Sequence, residues 1–335
     1  MDTDTRYAVG MDIGGTNIRT ALVSSKGLVA TREQRKTMPE RGFDTVFTEI
    51  VQMLGNMTSA VDTHKIVGIG IGAPGPLNLK EGVIIQTHNL GWKNVPLKEL
   101  IQKRLQLPVY VDGDSNLAAF GEKWLGAARG VNNFVCLTLG TGVGGALILN
   151  GRIYHGATGT AGHIGHYIIN PDGPECGCGG RGHLEAYASA TAIVRRTIEA
   201  IKAGQKSLIP DLVEGDLSKL TSLLVFEAAK AGDGLAVRIF RETGLYIGLV
   251  ITSLINIVNP ELVVIGGQVA EAGDLLLDSI REYVAKMVSL VPQPQIVPAM
   301  LGSDAGIIGA AGMVLVETGF DSGNTISKQF LPRWD

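Results

Sequence analysis

Four residues close together in the chain, His166, Cys176, Cys178 and His183, supply two thiolates and two imidazoles. That is the donor set of a closed, tetrahedral Zn²⁺ site, and Gly179, Gly180, Arg181 and Gly182 let the chain loop back around an ion. All four positions are filled by protein, so the ion expected here is structural rather than catalytic. Surface thiols with scattered histidines are the plainer alternative. The chain has only three cysteines, however, and two of them fall in this cluster, too few for a disulfide framework.

A second group of residues suits phosphate. Asp12-Ile13-Gly14-Gly15-Thr16 ends an apolar run with a carboxylate, then turns on two glycines that expose N–H donors. Thr138 to Gly145 repeats the plan, with Thr141 and Gly142 at its turn, and Ile265-Gly266-Gly267 gives a third strand end with paired glycines. Gly70 to Gly75 and Gly140 to Gly145 both match G-x-G-x-x-G, but Pro74 and Pro76 interrupt the first and an apolar strand follows the second. Neither opens the helix that a dinucleotide fingerprint needs, and the P-loop pattern G-x-x-x-x-G-K-[ST] does not occur. Asp112-Gly113-Asp114-Ser115-Asn116 lies between a strand, Val109 to Val111, and a helix, Ser115 to Leu125. Asp, Ser and Asn cap helices. An ionised carboxylate at the positive end of a helix also suits a phosphoryl-transfer enzyme that must take a proton from an acceptor hydroxyl. Asp114 is the best placed base, and Asp12 the residue to orient Mg²⁺. His64, His88 and His155 read as surface or loop histidines, and Cys136 as a small buried side chain in a strand.

These residues need a frame, and the chain shows one twice. Tyr7 to Asp12, Asn17 to Val23 and Leu28 to Arg35 form a meander; a helix through Val46, Phe47, Ile50, Val51 and Leu54 and a strand, Lys65 to Ile71, complete the order βββαβ. Phe134 to Leu139, Val143 to Leu149 and Arg152 to Tyr154 open a second copy, followed by a loop-rich section to Gly182, a helix from Tyr187 to Ala203 and a strand from Leu262 to Ile265. The expected fold is α/β with two duplicated lobes, 1–114 and 115–335, around a central cleft, the last helix packing back on the first lobe. The 335 residues are 45% apolar with a net charge of −3 and no long Lys/Arg run, which disfavours nucleic acid and anionic membranes as partners. Met1 to Tyr7 is no secretion signal, and the polar residues within Ile247 to Val258 leave it short of the ~20 residues of a membrane span. A soluble cytoplasmic protein is expected.

Taken together, Asp12 to Thr16, Gly72 to Pro76, Asn89 to Trp92, Asp114 to Asn116, Gly140 to Gly145, Gly162 to His166, Cys176 to Glu185 and Gly266-Gly267 resemble the ROK family of sugar kinases and repressors, most nearly its bacterial ATP-dependent glucokinases. The resemblance covers nearly the whole chain. It implies the two-lobed actin-like (ribonuclease-H-like) ATPase fold, ATP with Mg²⁺ as donor, a hexose with glucose favoured as acceptor, a structural Zn²⁺, and a homodimer or homotetramer. It further implies Asp114 as base toward the sugar 6-hydroxyl, sugar contacts at Gly75, Asn89, Asp114, His163, His166 and Glu185, and phosphate contacts at Asp12, Gly14, Gly15, Thr16, Thr141, Gly142, Gly266 and Gly267. Three positions depart from the family pattern. His183 replaces Cys, Gly113 replaces Asn before the base, and His163 replaces the Glu of Gly-Glu-x-Gly-His. The last opens the acceptor to N-acetylmannosamine, fructose or mannose. Polyphosphate as donor and a sugar sensor without catalysis are further alternatives. The helix-turn-helix of the repressor branch is not expected, since the first strand is expected to begin at about Tyr7.

Overall fold

The computed structural model describes residues 5–87 and 89–320. The chain runs β1 (Tyr7–Ile13), β2 (Asn17–Ser24), β3 (Val29–Lys36), α1 (Phe43–Thr58), β4 (Ile66–Ala73), β5 (Leu77–Asn78), β6 (Val83–Gln86), β7 (Lys93–Val95), α2 (Leu97–Leu105), β8 (Val109–Gly113) and α3 (Asp114–Leu125). It continues with β9 (Phe134–Leu139), β10 (Val143–Leu149), β11 (Arg152–Ile153), α4 (Glu185–Ala188), α5 (Ala190–Lys202), α6 (Ile209–Leu212), α7 (Ser222–Lys230), α8 (Gly234–Val258), β12 (Leu262–Gly266), α9 (Asp274–Met287), β13 (Gln295–Pro298) and α10 (Ala305–Thr318).

Burial explains the order of the first sheet, β3-β2-β1-β4-β8. β1 and β4 are apolar on both faces, as central strands covered on both sides must be, whereas β3 alternates exposed and half-buried residues as an edge strand does. β1 pairs antiparallel with β2 and parallel with β4, and β4 pairs parallel with β8. The second sheet, β11-β10-β9-β12-β13, has the same order once each set of strands is counted from its own first member. β12 pairs parallel with both β9 and β13. The duplicated β-meander expected from sequence is therefore present, with the further strands added in the same places.

Three local features differ from expectation. The segment Tyr187 to Ala203 is not one helix: it breaks at Ser189, whose hydroxyl accepts from the backbone N–H of Ala192 and so starts α5 afresh. β5, β6 and β7 form a small separate sheet that stretches of two to four residues do not announce as periodicity. His155, expected at the surface or in a loop, is drawn in by a hydrogen bond of 2.8 Å between its Nε2 and the buried carboxyl group of Asp112. His64 is exposed and Cys136 is buried in β9, while His88 lies outside the described residues.

The chain forms two compact units. One comprises the residues up to Asn132, Ala146–Gly162 and those from Met300 on; the other comprises Asn133–Gly145 and His163–Ala299. They are divided elsewhere than at the 114/115 boundary drawn from sequence because α3 packs on α10, which in turn lies on β1 and β4. No helix among the described residues is long and apolar enough to cross a membrane.

The seat of α10 depends on missing side chains. A Cβ on Gly10 of β1 would lie 1.9 Å from the carbonyl oxygen of Ile307, and one on Gly70 of β4 would lie 2.1 Å from that of Ala310. On the other flank, a Cβ on Gly309 would stand 1.7 Å from the carbonyl oxygen of Leu117 in α3. Backbone cannot give way there as a flexible side chain could, so Gly309→Ala is expected to destabilise the fold by at least about 1–3 kcal/mol. Gly55→Ala, in α1 with nothing within 4 Å of the added methyl, is expected to stabilise by up to about 1 kcal/mol. Urea midpoints of the two variants check the pair, and equal shifts would sink the close-approach argument.

Candidate functional site

In the first unit the site begins at the carboxyl ends of parallel strands. Asp12 near the end of β1 stands in register with Gly72 of β4, and Gly72 with Asp112 of β8. Gly72 has no side chain to part them: a Cβ there would be 3.5 Å from Asp12 Oδ1 and 3.4 Å from the Cα of Asp114. Asp114 is the first residue of α3, and its Oδ1 accepts from the N–H of Ser115 at 2.6 Å and from the Ser115 hydroxyl at 3.2 Å. The residue in the N-cap position is Gly113 and makes no side-chain cap, so Asp114 is not held there as a capping carboxylate. Burial, and then the neighbouring charge of Asp114, raise the pKa of Asp12 to about 7, against the opposing pull of Arg19.

The turn after Asp12 is braced from β3. The Thr37 hydroxyl donates to the carbonyl of Gly14 at 2.7 Å, and the Thr37 N–H donates to that of Thr16 at 3.0 Å. Thr16 itself is exposed, and Gly15 lies against Asn89, whose Cβ would be 2.9 Å from a Cβ added there. Gly75 has φ +85°, and a Cβ on it would strike the carbonyl of Gln86 at 2.3 Å, so only glycine fits. The sequence-predicted residues Asp12, Gly14, Gly15, Thr16, Asn89 and Asp114 thus gather at one edge of the first sheet.

In the second unit the turn between β9 and β10 is pinned by Glu185, whose Oε2 accepts from the N–H of Val143 at 3.0 Å. Gly142 leaves space for that carboxylate, which a Cβ would meet at 2.4 Å. Thr141 is exposed beside it, and Gly266 closes β12 in register with Thr138. Gly267, at φ +86°, packs its backbone on Leu139 so tightly that a Cβ would come within 2.4 Å of the Leu139 carbonyl oxygen. A cavity of about 650 Å³ opens next to Thr141, walled by Thr191, Val194, Ile198, Leu220 and Gln268.

His166, Cys176, Cys178 and His183 come together as expected: one ligand atom from each lies within 4.8 Å of the others. A tetrahedral zinc with bonds of about 2.0–2.3 Å spaces its ligand atoms roughly 3.3–3.8 Å apart. The Cys178 Sγ to His183 Nδ1 separation of 3.3 Å falls within that spacing, and the Cys176 Sγ to His166 Nδ1 separation of 3.9 Å is slightly wider. Burial and the adjacent Glu185, whose Oε1 accepts from Cys176 Sγ at 3.2 Å, push the Cys176 thiol up to about 12. Desolvation lowers the pKa of His166, with Glu185 opposing. The exposed His163 ring stacks over His166 at a centroid distance of 6.1 Å.

The ROK family profile matches residues 8–317. The chain belongs to the ROK family. A glucokinase of Halalkalibacterium halodurans is 38% identical over 95% of this chain and 98% of its own. A glucokinase of Thermotoga maritima is 37% identical over 91% and 96%. The crystal structure of a ROK family glucokinase from Streptomyces griseus in complex with glucose and AMPPNP has a TM-score of 0.82 and 33% identity, covering 91% of this chain and 98% of that one. The two sheets of this ROK protein are those of the actin-like ATPase fold.

Sequence reasoning missed the pairing of Asp112 with His155, the brace at Thr37 and the wall of the cavity. The fully buried Asp112 and the half-buried His155 pair beside the turn that carries Asp114, but they stand 43 residues apart and no motif links them. Thr37 braces the first glycine turn from the end of a strand. The cavity wall comes from α5, whose face toward it had no signal beyond ordinary amphipathic spacing. Chemically, the first unit offers a carboxylate at a helix start beside a second carboxylate of raised pKa, and the second offers amide turns beside a cavity.

The raised pKa of Asp12 has a consequence for stability. Its value of about 7 in the folded chain against an ordinary 3.8 means that the folded state binds the proton more tightly. That contribution is fully present below about pH 4 and is lost as pH rises through 7. Asp12→Asn removes it, so the variant is expected to gain on wild type in urea midpoint between pH 5 and pH 8. A difference that does not change with pH would refute the assignment.

Proposed function

We propose that this protein is an ATP-dependent glucokinase that transfers the γ-phosphoryl group of ATP to the 6-hydroxyl of glucose, with Asp114 as general base. The observation that carries the reading is the placement of Asp114, on the first turn of α3 beside Asp12, in a chain similar over nearly its whole length to glucokinases, one of them solved with glucose and AMPPNP.

A sugar hydroxyl is a poor nucleophile at neutral pH. Asp114 accepts its proton as the bond from the sugar oxygen to the γ-phosphorus forms and the bond from that phosphorus to the β,γ-bridging oxygen breaks, releasing ADP; the remaining catalysis is positioning and charge stabilisation. We assign phosphate contacts to the amides and hydroxyls of Gly14, Gly15, Thr16, Thr141, Gly142, Gly266 and Gly267, and the nucleoside to the cavity beside Thr141. Sugar contacts fall to Gly75, Asn89 and Asp114 and, on the second unit, to His163, His166 and Glu185. Asp12 is the hard oxygen donor suited to Mg²⁺, which supplies positive charge against the phosphates, and a cation there offsets the cost of its buried carboxylate. His166, Cys176, Cys178 and His183 would hold Zn²⁺, which makes a thiolate at Cys176 affordable and closes the loop that carries His166 and Glu185. The second reading, a kinase for N-acetylmannosamine, fructose or mannose, is favoured by one observation, the imidazole at His163 where the family pattern has a carboxylate.

A coupled assay of a hexose panel with ATP and Mg²⁺ is expected to give glucose the highest kcat/KM; a better acceptor among the others would replace glucokinase by the second reading. Asp114→Asn is expected to lower kcat by ~10² to 10⁴ with ATP binding kept. Retention of more than about a tenth of wild-type kcat would place the base elsewhere. Elemental analysis of protein purified without added metal should find close to one zinc per chain, with Cys176 and Cys178 unreactive until a chelator is added. Absence of zinc together with freely reactive thiols would remove the site.

A further inference from the structure

We infer that Asp112 and His155 are positioning residues for the general base, locking the turn from which Asp114 projects; the inference rests on the reading of Asp114 as that base. Asp112 is fully buried at the end of β8. Its Oδ1 accepts from the N–H of Gly113 at 2.6 Å and from Asn116 Nδ2 at 2.8 Å, and its Oδ2 meets Nε2 of His155 at 2.8 Å. His155 Nε2 and Asp112 Oδ2 are thus hydrogen-bonding partners across 43 residues of chain. The His155 side chain is 12% exposed.

The residue between this carboxylate and the base explains why such a lock is needed. Gly113 has φ −62° and ψ 138°, a conformation open to any residue. A Cβ on it would meet only the Asn116 amide, at 3.4 Å, so the site does not demand glycine. Glycine therefore leaves the position immediately before Asp114 with the most backbone freedom of any residue. The bonds from Asp112 to the Gly113 N–H and to Asn116 in the first turn of α3 take that freedom away, and His155 holds Asp112 in place from a separate segment. The same histidine also closes its own loop, its carbonyl accepting from the N–H of Ala161 at 3.0 Å two residues before His163.

Misplacement of a catalytic group by even 1 Å costs up to about 10² in rate. In the full-length protein at saturating ATP and glucose, His155→Ala is expected to lower kcat by about tenfold to 10² with the KM for ATP within about twofold of wild type. His155→Gln, whose amide nitrogen overlays Nε2, should return kcat to within about threefold of wild type. Adding Gly113→Ala to His155→Ala should recover part of the loss by stiffening the turn. If the alanine variant does not fold, His155→Asn, whose amide falls short of Asp112, takes its place in the same comparison. Unchanged kcat in a folded variant lacking the donor, a glutamine variant as slow as that one, or no recovery from Gly113→Ala each overturns the positioning role. An Asp114→Asn enzyme that keeps its kcat overturns the base itself, which separates the two failures.

Discussion

The parallel register of β1, β4 and β8 is the constraint on which the candidate site at the edge of the first sheet depends. Backbone pairing aligns Asp12, Gly72 and Asp112 across three strand ends, and neighbouring strands are ~4.8 Å apart, so the outer two are about 10 Å from each other. A single-residue slip would carry every side chain of β8 to the opposite face of the sheet and take Asp114 with it. The register buries Asp12 and brings the start of α3, with Asp114, close to it; burial first and the charge of Asp114 second raise the pKa of Asp12. Ligands of open α/β sheets gather outside the carboxyl ends of the strands, where helix starts and exposed amides converge. In the second sheet β9 and β12 repeat the device, with Thr138 opposite Gly266.

Around that constraint each glycine turn is held by one side chain from elsewhere in its own unit. Thr37 holds the Gly14 to Thr16 turn, Glu185 holds Val143, and Asp112 holds Gly113. Glycine makes backbone donors accessible but surrenders conformational order, so the order must be restored by hydrogen bonds from outside the turn. Glu185 has a further duty, since its other oxygen accepts from Cys176 in the metal cluster. One carboxylate thereby links the amide turn to the loop that the metal would close.

Much of this was legible in the chain. Apolar runs and the turns between them located β1 to β4, β9, β10 and β12 to within about two residues, and the 3.6-residue period found the middle of α1, Val46 to Leu54, but not its ends. The glycine turns and the Cys-x-Cys cluster were legible because their chemistry is local. The small sheet of β5, β6 and β7 was not, since strands of two to four residues show no period. The break between α4 and α5 hides in a run that reads as continuous helix until the hydroxyl of Ser189 is seen to cap it. His155 looked like a loop histidine because its partner is 43 residues away.

What the sequence determined by itself was the inventory and everything that acts over short range: which donors stand within one loop, where backbone must turn, which strands are apolar on both faces. His166, Cys176, Cys178 and His183 lie within one stretch of 18 residues, 166–183, and meet when that stretch folds back, so their types and spacing were enough to foresee the cluster. Only the tertiary structure decided which distant groups share an environment. Asp12 and Asp114 influence each other because β4 is interposed with a glycine at the right register, and Asp112 meets His155 because a separate segment is folded against the end of β8. α10 comes into contact with both the sheet and α3 through glycines on three different elements. Such contacts are set by strand pairing and close packing, which join residues without regard to their separation along the chain.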